Sequence, residues 1–168
     1  QELNPAVRHY GSWAPVTRPV ARGQAELCST TPGDSITLSF RGQAVDLYTR
    51  RGPDAGRLLV TLDGRPVSGL PRDEAGNTYV TLYSPLEEDG AVISLVTNAG
   101  PGSHTLRLTL SEASDVGSSG HVVTIDAFGV RSGQTASASL LPVAGGLGAL
   151  VVVLMLLIRT LRRLGVLP

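Results

Sequence analysis

Lysine is absent from this chain, and cysteine, tryptophan and methionine occur once each. One cysteine, Cys28, excludes an internal disulfide, so it reads first as a small buried hydrophobe, with an intermolecular disulfide as the sharper alternative. A domain of this size outside the cytoplasm without disulfides points towards a bacterial envelope. The three histidines, His9, His104 and His121, have no metal-ligand spacing, which argues against zinc. Aromatic residues make up only 4% of the chain, so any site built on ring stacking has few candidates. All basic residues are arginine, and their number equals that of the acidic ones. Three of the arginines lie in the last ten residues, so the rest of the chain is mildly acidic. That balance argues against nucleic acid and anionic lipid headgroups as partners.

The longest uncharged stretch runs from Ser132 to Ile158. Within it, Leu141 to Ile158 is apolar apart from Pro142 and three glycines. As a helix this run would span about 27 Å at ~1.5 Å per residue, close to a bilayer's hydrocarbon core. A single transmembrane α-helix is therefore expected over residues 140–164, with a short tail to 168. Arg159, Arg162 and Arg163 follow it, against Arg131 alone on the other side, which places the C-terminus in the cytoplasm and the larger N-terminal part outside. The start at Gln1 rather than Met is read as the trace of a removed signal peptide. Ala138, Pro142, Gly145 and Ala149, with Gly148 beside them, fall on one helical face as a stripe of small residues that would let a partner helix approach.

Before the linker at residues 132–139 the periodicity is that of strands. Residues 1–23 read as an N-terminal arm and first strand region, with Gln1 to Val7 irregular. From Gln24 short β-branched runs alternate with Gly, Pro, Asp and Asn clusters. The clearest strand is Asp34 to Phe40, with Ile36, Leu38 and Phe40 on one face. Ala44 to Thr49, Arg57 to Leu62, Thr78 to Ser84, Ala91 to Thr97, His104 to Leu110 and His121 to Val130 follow, and Asp63-Gly64 predicts a tight hairpin. Glu87 to Gly90 reads as an acidic turn, and Pro66 confines its strand to an edge. The expected core is Ile36, Leu38, Phe40, Val60, Leu62, Leu106, Leu108 and Ile125. The fold class is all-β, a jelly-roll β-sandwich of about 8–9 strands, followed by the one transmembrane helix.

The order of motifs supports this. Tyr10-Gly11-Ser12-Trp13, Phe40-Arg41-Gly42-Gln43-Ala44-Val45, Arg50 to Gly56, Val60-Thr61-Leu62-Asp63-Gly64, Gly102 to Leu106 and Val123 to Val130 occur in sequence. Together they resemble the galactose-binding-like jelly-roll modules attached to bacterial and fungal surface proteins and glycoside hydrolases. The resemblance covers residues 8–131. It implies a β-sandwich whose loops at one end hold a sugar, and it implies an appendage rather than a catalytic domain.

Tyr10 and Trp13 are the candidate sugar platform, and for Trp13 packing against the sandwich is the commoner role of such a residue. Glu87, Glu88 and Asp89, or Asp73 and Glu74, offer oxygens of the kind calcium takes, but a solvated acidic turn explains them equally well. No cofactor is expected, and no nucleophile elbow or recognisable catalytic arrangement is present, so the reading is non-enzymatic. The function expected first is a single-pass membrane protein whose sandwich and helix join other membrane or envelope subunits. A membrane-tethered, lectin-like glycan-binding module is the alternative.

Overall fold

The computed structural model describes residues 6–16 and 26–132. The chain divides into two units, Gln1–Gly133 and Gln134–Pro168. The expected transmembrane helix, its stripe of Ala138, Pro142, Gly145, Gly148 and Ala149, and the flanking Arg159, Arg162 and Arg163 lie outside the described residues. Among the described residues no helix is long and apolar enough to cross a membrane.

The first unit is all-β. Its strands are β1 (Ala6–Tyr10), β2 (Ala14–Val16), β3 (Glu26–Ser29), β4 (Ser35–Arg41), β5 (Ala44–Arg51), β6 (Arg57–Leu62), β7 (Arg65–Pro66), β8 (Tyr79–Thr81), β9 (Glu88–Val96), β10 (Ser103–Leu110) and β11 (Val123–Arg131). One sheet has the order β1-β4-β10-β6-β7, with β8 also paired to β6; the other has the order β2-β3-β11-β5-β9. Every ladder between these strands is antiparallel.

Alternation builds the core. In β4 Ile36, Leu38 and Phe40 are buried, and in β10 Leu106, Leu108 and Leu110. The register sets Leu106 beside Leu38 and Leu62, and Leu108 beside Ile36 and Val60. The facing sheet supplies Val45, Leu47, Leu95, Val123 and Ile125 to the same cluster. Apolar faces that interlock in this way are how two sheets exclude water. Leu62 corrects the expected core: it is half-buried, packed against the cluster's margin where β6 reaches the Asp63-Gly64 turn.

Among the described residues eleven strands form rather than eight or nine. The additional ones are edge pieces. Val7 and Tyr10 of β1 are exposed, and β2 carries Pro15, so neither shows the clean alternation of a strand buried on one face. The acidic run Glu88 to Gly90 is the start of β9 rather than a turn, because Glu88 pairs with Arg51 across the ladder and its carboxylate accepts from Arg51 Nη1 at 3.1 Å. Cys28 is half-buried on β3, with Ala14 and Thr124 as its cross-strand neighbours.

Leu106, fully enclosed at the centre of β10, is the test of this core. Leu106→Ala should destabilise the protein by ~2–5 kcal/mol in denaturant unfolding, since a close-packed interior cannot collapse fully onto the vacated volume.

Candidate functional site

Strand parity sorts the loops between two ends of the sandwich. Arg41 pairs with Ser103, Leu62 with Arg65, Val45 with Val96, and Ala44 with Arg131, so these strand ends share one end. Tyr10 pairs with Ser35 at the opposite end, which also carries the Arg51 to Arg57 connection.

The opposite end is tied by side chains. Asp34 is buried, and its Oδ2 accepts from Ser12 N at 2.8 Å and from Ser29 Oγ at 2.5 Å. Gly11 sits against this carboxylate at φ +104, where a Cβ would both strain the backbone and collide with Asp34. The Tyr10 to Trp13 motif is thus a fixed corner. Trp13 is 8% exposed and belongs to the core cluster, whereas Tyr10, three residues earlier, is 79% exposed. The corner sends one ring inwards and leaves the other in solvent, so the two do not form a joint platform.

The acidic residues near this end are occupied by arginines. Arg50 Nη2 donates to Asp54 Oδ1 and Glu87 Oε1, both at 2.9 Å. Arg51 donates to Glu88 and to the Tyr83 carbonyl. Arg57 Nε donates to Asp115 Oδ1 at 2.9 Å, Thr81 Oγ1 donates to the other carboxylate oxygen, and the guanidinium lies 4.6 Å from the centre of the Tyr79 ring. Asp73 closes its own turn by accepting from Asn77 N at 2.8 Å. Ser114 Oγ is 2.9 Å from His121 Nδ1, yet no carboxylate orients that imidazole among the described residues, and the same hydroxyl donates to Gly120 O. These contacts brace the loop between Ser114 and His121.

The Arg131 end is open. A cleft of about 680 Å³ lies between the β6–β7 connection and the end of β9. Leu62, Val67 and Val96 give it apolar walls, and Arg65, Ser68, Thr97 and Asn98 present exposed polar groups. No aromatic side chain among the described residues lines it. Its walls are held by backbone and buried hydroxyls. Val67 N donates to Thr78 Oγ1 at 3.0 Å, and that hydroxyl donates to Val60 O at 2.5 Å. Ala99 N donates to Gln43 O at 2.8 Å, fixing the Asn98 side. Asp63 adopts φ +51 in the turn, and its carboxylate accepts from Thr105 N and meets His104 Nδ1, both at 2.8 Å. The His104 hydrogen bond, and then that from Thr105 N, hold the Asp63 carboxyl below the usual carboxylate range. Nothing in the sequence marked Arg65, Ser68, Thr97 and Asn98, because they come from two loops brought together only by the pairing of strands. The available signal was the Asp63-Gly64 hairpin and the turn at Asn98 falling at the same end by parity.

The two antiparallel sheets face each other as a β-sandwich. Solved structures with the same fold include a xanthan lyase from Paenibacillus, at TM-score 0.54 and 17% identity, covering 75% of this chain and 12% of the lyase. A two-domain esterase active on acetylated mannans, co-crystallised with mannopentaose, matches at TM-score 0.52 and 14% identity, covering 76% of this chain and 34% of the esterase. An active-site mutant of a family two carbohydrate esterase from Clostridium thermocellum matches at TM-score 0.50 and 19% identity, covering 77% and 32%. The chain therefore spans about a third or less of each of these three proteins. No protein-family model matches the sequence, and no curated protein is similar to it by sequence.

The tied end carries a pH signature. Burial alone would raise the Asp115 carboxyl, but hydrogen bonds from Arg57 and Thr81, with the Arg57 charge, hold it below its ordinary value. A depressed carboxyl contributes stability that is present above the unfolded value of ~3.9 and is lost as pH falls through the lower folded value. Asp115→Asn should lower the thermal midpoint near neutral pH and flatten its decline in acid, read by unfolding scans from about pH 7 to about pH 2.

Proposed function

We propose that this chain is a non-catalytic, lectin-like module that binds polysaccharide, with the cleft between β6–β7 and the end of β9 holding a short segment of the glycan. The observation that carries this reading is the fold match over three-quarters of the chain to lyase and esterase structures, of whose length the match covers only a fraction. A part shared by enzymes of different reaction types is better explained by a common carbohydrate context than by a common reaction. The mannopentaose in the mannan esterase structure supports the same context. The cleft is suited to a sugar, because its walls pair apolar surface with a guanidinium, hydroxyls and an amide, the groups that meet a sugar's C–H faces and hydroxyl rim. With no aromatic in the lining, hydrogen bonds at Arg65 and Asn98 carry selectivity there. The hydrophobic segment 140–164 tethers the module to a membrane in this reading, with Arg159, Arg162 and Arg163 on the cytoplasmic side and the sandwich outside. The assembly-subunit reading ranks second, because the comparisons speak for carbohydrate and not for a protein partner.

The full chain in a detergent without a sugar headgroup, applied to immobilised mannan, cellulose, xylan and xanthan, should bind at least one of them. The double variant Arg65→Ala, Asn98→Ala should lower that affinity about tenfold or more, the scale of one or two lost hydrogen bonds. Failure of the parent to bind any polysaccharide, with stoichiometric membrane-protein partners in the same detergent, would overturn the reading in favour of the assembly subunit.

A further inference from the structure

The outer face of the second sheet carries a feature that the cleft does not use. Tyr48 points out from the middle of β5, with Ala127 of β11 and Val92 of β9 as its cross-strand neighbours. Large side chains on a sheet normally stand away from it. Here Gly129 lies diagonally across on β11, and the ring folds down over it. A Cβ at Gly129 would be 3.0 Å from Tyr48 Cε2 and 3.6 Å from its hydroxyl oxygen. The cross-strand neighbours are small: Ala127 is exposed and Val92 is 57% exposed. One cross-strand pair further along, Asp46 sits opposite both Gly129 and Ser94, and Arg131 Nη2 donates to Asp46 Oδ1 at 3.1 Å. The face thus offers a half-buried ring packed against Gly129, bordered about 7 Å along the strand by a carboxylate, a guanidinium and a hydroxyl.

We infer that Tyr48 is a stacking platform for a pyranose ring of the same polysaccharide, with Asp46, Arg131 and Ser94 taking the sugar's hydroxyls. This rests on the glycan-binding reading and extends it to a second contact surface, distinct from the cleft. A pyranose has an apolar C–H face and a polar rim, and the patch has the same division. One aromatic ring flanked by Ala127 and Val92 is far too small for a protein interface, which takes roughly 20–30 residues a side. Strand β9 links the two surfaces: Val92 flanks the ring, while Val96, Thr97 and Asn98 line the cleft. From Val92 to Thr97 is about 17 Å of extended chain, so a glycan that touches both must be an oligomer of several sugars. The platform therefore favours the interior of a long chain over a free end.

The plain alternative is that Tyr48 merely covers Gly129, as aromatic residues do beside glycines in sheets. Tyr48→Leu separates the two, since leucine also covers the glycine but offers no π face. In the full chain, Tyr48→Leu should weaken binding to the polysaccharide that the parent retains by about tenfold, the scale of an aromatic contact, while Tyr48→Phe binds as the parent does. Ala127→Glu, at an exposed position beside the ring, should weaken binding similarly without unfolding the sheet. Thermal midpoints near the parent's confirm that the losses are of binding. Parental affinity in both Tyr48→Leu and Ala127→Glu, with the loss confined to Arg65→Ala, Asn98→Ala, would overturn the platform and leave the cleft reading standing. A parent chain that binds no polysaccharide would overturn both.

Discussion

The inner faces of the two sheets are the constraint on which the remaining structure depends. Leu106, Leu108 and Leu110 on one side and Val45, Leu47, Val123 and Ile125 on the other belong to one buried cluster. Side chains alternate with a period of two, so a slip of one residue in any of these strands would turn its whole apolar set to solvent. The registers are therefore fixed by burial, and every polar side chain on an outer face or in a loop inherits its position from them. The cleft lies where it does because Leu62 must pair with Leu106 and Val45 with Val96. Tyr48 faces out because Leu47 faces in.

Charge is distributed unevenly over this frame. At the Asp34 end nearly every ionised group is spoken for: Arg50 is held between Asp54 and Glu87, Arg57 against Asp115, and Asp34 by Ser12 and Ser29. The Arg50 guanidinium is almost enclosed, with its side chain 6% exposed. Burial tends to lower its pKa, but the hydrogen bond to Glu87 and the charges of Asp54 and Glu87 raise it overall, so it stays a cation inside the loop layer. Such an end is costly to rearrange, because a buried charge that loses its partner has no water to replace it. The other end keeps Arg65, Thr97 and Asn98 exposed. Ion pairs and hydrogen bonds thus concentrate at one end, and exposed hydrogen-bonding groups at the other.

The parts of this arrangement that were legible in the sequence are those written in local periodicity. Strands β4, β6 and β10 announce themselves by Ile36-Leu38-Phe40, Leu58-Val60-Leu62 and Leu106-Leu108-Leu110, and Asp63-Gly64 announces its turn. Edge strands β1 and β2 do not, because neither buries a face in the core. The start of β9 was hidden by Glu88, Asp89 and Gly90, residues of turn composition that here extend a ladder beside Arg51. Tyr10 and Trp13 stand out in the sequence as aromatics outside the strand periodicity, and the Gly11 corner on Asp34 separates them. The cleft and the Tyr48 platform were illegible for a different reason. Leu62 and Val96, or Tyr48 and Gly129, are far apart in the chain and meet only through long-range pairing.

The edges of the two sheets bear on how such domains behave when many sit side by side. An exposed edge strand is a template on which another chain can zip, and crowding along a polymer or a membrane raises the frequency of such encounters. Four of the edges among the described strands, those of β1, β2, β7 and β9, are spoiled for that purpose. Pro15 in β2 and Pro66 in β7 lack the donor that a new ladder would need. Strand β9 is interrupted twice by register shifts against β5, and β1 sets Arg8 and His9 on its exposed flank. Copies of the sandwich can therefore lie close together and remain separate folding units.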